Sequence, residues 1–133
     1  MVALAQRPCK PCRGGVDSLR REECAAYLVE VPDWQLDATG RRISRRFLFP
    51  DYRSALAFAN AVSVMAEETW HHPELRLGWG FCEVSLMTRK IGGLHESDFV
   101  MAARIDVLAE VPLDAAWLPP LPPRGCDRRT EKS

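Results

Sequence analysis

At 133 residues the chain is one domain's worth of polypeptide, long enough to bury a core without help from a metal or disulfides. Lys plus Arg and Asp plus Glu stand at 18 each, and the resulting net charge of zero removes the basic excess that marks a nucleic-acid binder. No apolar run approaches the ~20 residues of a membrane span, the first residues lack a signal-peptide pattern, and five cysteines without an export signal read as reduced thiols in a cytoplasmic protein.

Composition divides the chain into three zones. Residues 1–16, with Pro8, Pro11, Gly14 and Gly15, read as an irregular lead-in. Residues 17–108 carry continuous periodic patterning and are expected to form the folded domain. Residues 109–133 hold five prolines and a charged end, so this tail is expected to stay without regular structure. Within the domain, Leu19 to Glu30 predicts a helix with Leu19, Cys24, Tyr27 and Leu28 inward, stopped by Pro32. Trp34 to Asp37, a turn over Asp37–Gly40, and Arg41 to Phe49 predict a hairpin, with Ile43, Phe47 and Phe49 at period two.

Asp51 is a candidate N-cap for a long helix ending at Thr69, with Tyr52, Ala55, Leu56, Ala59, Val62 and Ala66 on one face. Leu75–Trp79 and Phe81–Thr88 predict a second hairpin, with Cys82, Val84 and Leu86 inward. Past Gly92-Gly93, a last helix from Glu96 to Leu108 would bury Phe99, Ala102, Ala103 and Val107. The order α-β-β-α-β-β-α implies an α+β fold, a single four-stranded antiparallel sheet with three helices on one face.

The chemistry-bearing residues are few. His71 and His72 are adjacent at a helix end, where a cationic imidazole would meet the negative end of the dipole. Adjacent side chains diverge, so the pair makes a poor metal site. Glu67, four residues before His71, falls one turn away on that helix. Cys9-x-x-Cys12 stands without a second pair and reads as two reduced cysteines. Asp98, three residues after His95, is placed to turn back on the first amides of the last helix.

Taken together, Glu67-x-x-x-His71-His72-Pro73, a glycine-rich hairpin and Thr88-Arg89-Lys90-Ile91-Gly92-Gly93-Leu94-x-x-x-Asp98 resemble the pterin-4a-carbinolamine dehydratase family. The Pro-Cys-x-Pro-Cys-x-Gly-Gly lead-in and Trp34 agree, and the resemblance spans residues 9–108. It implies removal of water from a 4a-hydroxytetrahydropterin without metal or cofactor, by imidazoles that donate and accept protons near neutrality. It also implies that His71, His72 and Asp98 are the catalytic group, with Glu67, Trp34, Thr88 and Arg89 around the pterin. A homodimer or tetramer is the implied assembly, with no nucleic-acid or membrane partner.

One departure outweighs the matches. The family's third histidine is Arg89 here, and a guanidinium cannot exchange a proton at physiological pH. Met87 and Trp70 also differ from the family pattern, and His95 lies six residues past the missing imidazole. Asp98 and Glu67 are expected to pair with the guanidinium. With this loss the chain looks like the dehydratase-like RuBisCO assembly factors of the α-carboxysome. That likeness implies RuBisCO subunits as partners, a chaperone-like role in carbon fixation and a cytoplasmic, carboxysome-associated location. The alternatives are an active dehydratase that recycles a pterin, and a dimerisation partner of a transcription factor.

Overall fold

In the computed structural model, which describes residues 3–8 and 17–112, local signals in the sequence set where each element starts and stops. Helix α1 (Arg21–Leu28) opens where the Glu23 side chain accepts from the Arg20 amide at 2.9 Å. Strands β1 (Gln35–Leu36) and β2 (Ile43–Leu48) are joined by a turn built on Asp37, whose carboxylate accepts from the Thr39 hydroxyl and the Arg41 and Arg42 amides. Helix α2 (Tyr52–Thr69) is capped by Asp51, which accepts from the Ser54 amide at 2.7 Å. Strands β3 (Glu74–Gly78) and β4 (Phe81–Leu86) turn at Gly80, whose φ of +82° suits a residue without a Cβ. Helix α3 (Glu96–Glu110) completes the α-β-β-α-β-β-α order.

The four strands form one antiparallel sheet in the order β1-β2-β4-β3. Register puts Ile43 opposite Leu86, Arg45 opposite Val84 and Phe47 opposite Cys82, so these share the face that the helices cover. Ser44, Arg46, Glu83 and Ser85 point the other way. Phe58 of α2 and Phe99 of α3 are fully buried in the resulting core, each contributing about 1.5–3 kcal/mol by burial. Helix α1 docks at the side of α3, where Tyr27 stacks on Phe99 with ring centroids 4.9 Å apart. Burial pushes the Cys82 thiol up to about 11, so it behaves as a small apolar residue.

Several expected boundaries and faces are corrected. Helix α1 is shorter than Leu19–Glu30, and β4 stops at Leu86, with Thr88 joined only by an isolated bridge to Gly93. Tyr52 and Val107 are exposed, whereas Phe58 and Ile105, absent from the expected faces, are buried. The cause is geometric: α3 is covered on more than one side, so Phe99, Val100, Met101 and Ala102 are buried in succession. Part of that cover is the lead-in itself. A single 3-10 turn, Leu4–Gln6, buries Leu4, and Arg104 of α3 donates to the carbonyls of Ala5 and Arg7. Helix α3 continues to Glu110, two residues into the segment expected to lack regular structure. Cys9, Cys12, Cys126 and residues 113–133 lie outside the described residues. No helix among the described residues is long and apolar enough to cross a membrane.

Two local features generate tests. Arg45 projects into the helix-covered side of the sheet because Asp106 of α3 meets it at 2.7 Å, while the Trp34 indole donates to the same carboxylate oxygen at 2.8 Å. Burial pushes the Asp106 carboxyl above its usual range, against the pull of the Trp34 and Arg45 donors. Trp34→Phe removes one donor and is expected to cost about 1.5–3 kcal/mol in urea unfolding at neutral pH. Its sign with pH is fixed. The loss raises the folded pKa of Asp106 further, so the deficit relative to wild type narrows as acid protonates that group.

The second feature is the end of α2. Trp70 takes φ +54° and ψ +37°, the left-handed conformation that glycine or asparagine normally supplies at a helix C-terminus, and its side chain stays 77% exposed. It is the lone non-glycine residue with positive φ among the described residues. The strain is of order 1–2 kcal/mol per residue, partly offset in a glycine variant by unfolded-chain entropy. Trp70→Gly is therefore expected to raise stability by about 0.5–1 kcal/mol in the same urea titration. A destabilised variant would contradict this account.

Candidate functional site

The left-handed turn at Trp70 lifts the chain out of α2, so His71 and His72 leave the helix before Pro73 delivers the chain into β3. The amides of Trp70 and His71 both close on the Ala66 carbonyl. This exit rearranges the expected partners. Glu67 does not reach His71 one turn above it; it holds His72 through Nε2 instead. The Trp70 indole stands edge-on to the His72 ring with centroids 4.9 Å apart.

His71 is held from behind by α3. Its Nε2 lies 2.6 Å from Asp98 Oδ1, and Asp98 is fully buried. Oδ2 of the same carboxylate accepts from the Thr88 hydroxyl at 2.8 Å and from the His95 amide at 3.0 Å. The expected turn of Asp98 onto the start of α3 is thus present as a capping box, with the His95 ring accepting from the Ser97 amide. An imidazole donating Nε2–H to a carboxylate keeps Nδ1 free to take up a proton, which is the arrangement a general base requires.

Position 89 sits on a single 3-10 turn, Arg89–Ile91, closed by Gly92 at φ +64°. The turn holds Thr88 inward and throws Arg89 out, 82% exposed. Its guanidinium does not pair with Asp98 or Glu67, contrary to expectation, because both carboxylates are engaged by the histidines. It meets Glu74 instead at 3.5 Å, and Glu74 is also held by Arg42 at 2.8 Å.

These groups surround a cavity of about 470 Å³ at the end of the sheet where β2 and β3 begin and β4 ends. His71, His72, Thr88 and Arg89 line it, while Asp98 and Glu67 brace the two histidines. Trp34 does not line it, being buried against Asp106, nor does His95, whose ring caps α3. Arg42, Glu74 and Ser85 complete the wall without having been singled out in the sequence. The alternation of β4 does turn Ser85 away from the core, and Ser85 accepts from Arg42 at 3.1 Å. Among the described residues, no group of three or more His, Cys, Asp or Glu is placed to hold a metal ion.

Comparison with known proteins places this site in a family. The family model for pterin 4 alpha carbinolamine dehydratase matches residues 17–108. A protein of Azoarcus sp. named "Putative pterin-4-alpha-carbinolamine dehydratase" is 49% identical over 106 residues, covering 80% of this chain and 91% of its own. The crystal structure of a transcriptional coactivator/pterin dehydratase from Brucella melitensis is similar at a TM-score of 0.66 and 29% identity, over 70% of this chain and 99% of that one. A pterin dehydratase-like protein identified as a RuBisCO assembly factor in the alpha-carboxysome is similar at a TM-score of 0.51 and 28% identity, over 58% of this chain and 89% of that one. With the motif residues gathered at one cavity and the family model spanning the sheet and all three α-helices, the chain belongs to the pterin 4 alpha carbinolamine dehydratase family.

Proposed function

We propose that this protein binds a pterin in the cavity beside His71 and His72 and retains only a weakened dehydratase. The observation that carries the reading is the buried Asp98 carboxylate, which fixes the His71 imidazole, while Arg89 stands in the cavity wall where the family resemblance implies a third histidine. Departure of a 4a-hydroxyl requires a proton donor, and loss of the ring-nitrogen proton requires an acceptor. His71 and His72 together supply one of each. A third imidazole would restore the proton that the first pair has moved, and a permanently charged guanidinium does not do this. Removing one such group costs about 10²–10⁴-fold. Stopped-flow absorbance on a 4a-hydroxytetrahydropterin is expected to show wild-type turnover at least about 100-fold below that of Arg89→His, and none above the spontaneous rate in His71→Ala. Equal rates for the wild type and Arg89→His would sink the reading.

A second reading, assembly of RuBisCO, is favoured by the likeness to the alpha-carboxysome assembly factor. In this reading the work is done by an outer surface, and the protein acts as a homodimer. The five-residue β3 lies open at one edge of the sheet, and Tyr52 and Val64 of α2 are exposed, so either could meet a second copy across a two-fold axis. Light scattering is expected to give the mass of a dimer. On native gels, added protein is expected to raise the yield of RuBisCO assembled from its subunits equally for wild type and His71→Ala. A monomer and an unchanged yield would remove this reading.

A further inference from the structure

The cavity has an unexplained charge. Arg42, Arg89 and Lys90 all line it, and Glu74 is the sole carboxylate among the described lining residues, so the wall itself carries two positive charges in excess, while Asp98 and Glu67 are engaged behind it by His71 and His72. Glu74 is shared between the two arginines, Oε2 with Arg42 at 2.8 Å and Oε1 with Arg89 at 3.5 Å. Lys90, on the same turn as Arg89, has no carboxylate within ion-pair distance among the described residues. Stability does not account for the cluster. Pairs as exposed as Arg89 with Glu74 contribute about 0–1 kcal/mol at most, and a second arginine on one carboxylate adds less. In a concave site an excess of one sign concentrates the field on whatever enters.

Resting on the pterin reading, we propose that this cluster recognises an anionic group on the side chain of the bound pterin, a phosphate or a carboxylate. Arg42, partly buried and fixed by Glu74 and Ser85, is the preorganised member. Arg89 is free to swing from Glu74 onto the ligand and present its planar fork to two oxygens at once. The exchange of imidazole for guanidinium at position 89 thereby becomes a gain in specificity as well as a loss of proton transfer. A neutral polyhydroxyalkyl side chain would leave the excess charge unanswered.

Calorimetric titration of the full chain with three probes tests this: neopterin, neopterin monophosphate and pterin-6-carboxylate. The readout is the ratio of affinities relative to neopterin. Neopterin monophosphate is expected to bind at least about tenfold more tightly, with the ratio shrinking in about 0.5 M salt. In the double variant Arg89→Gln/Lys90→Gln the ratio is expected to fall to within about twofold, whereas Arg53→Gln, exposed in the first turn of α2 at the end away from the cavity, leaves it intact. A preference for the carboxylate alone supports the inference and identifies the anion. Neopterin binding as tightly as both anionic probes overturns the inference and leaves the pterin reading standing, and a preference that survives the double variant does the same. Binding of none of the three overturns both.

Discussion

One buried carboxylate ties the site to the fold. Asp98 receives the His71 imidazole from the end of α2, the Thr88 hydroxyl from the end of β4 and the His95 amide from the start of α3. Three chain segments that are distant in sequence are thereby held at one point, and a charge taken wholly out of water is tolerated because its donors surround it. Removing any donor would leave part of a buried carboxylate unanswered, a cost of about 1–3 kcal/mol. The cap of α3, the direction of the β4 exit and the orientation of His71 are therefore one constraint.

That constraint divides the cavity into two unlike halves. The half containing His71 and Thr88 is anchored to Asp98 and cannot change without disturbing α3. The other half, Trp70, Met87, Arg89 and Lys90, is carried by a helix terminus, a strand end and a 3-10 turn. Substitutions there need satisfy only local backbone geometry. Arg89 meets that condition easily, since its side chain leaves the turn into solvent and finds Glu74. Trp70 meets it less well, in a left-handed conformation that a tryptophan adopts only under strain.

How much of this was legible in the sequence follows from the range of each interaction. The helix caps at Asp51 and Asp98 were readable because a cap acts over three residues, and the long apolar period of α2 placed that helix to within a residue. The faces of α3 were less legible. Period alone assigns one buried stripe, and the cover by α1 and the Leu4–Gln6 turn depends on contacts across the whole chain. His71 and His72 were found by motif, but their partners were not. A helical spacing argument gave Glu67 to His71, and it failed because Trp70 ends the helix between them. Arg42 and Glu74 were missed for a related reason: they are far apart in sequence and meet only when β2, β4 and β3 lie side by side.

The same division separates the residues that mark the family from those that vary around them. Features that identify the family, the two histidines, Thr88, the glycine turn and Asp98, belong largely to the anchored half, where changing one would leave buried groups unpaired. Position 89 belongs to the other half, where the fold does not dictate the residue. Substitution at that position is therefore cheap for stability. The anchored half keeps the cavity's shape whatever stands at position 89, and on the proposed anion reading Arg42 and Arg89 around Glu74 give the other half its chemical sign.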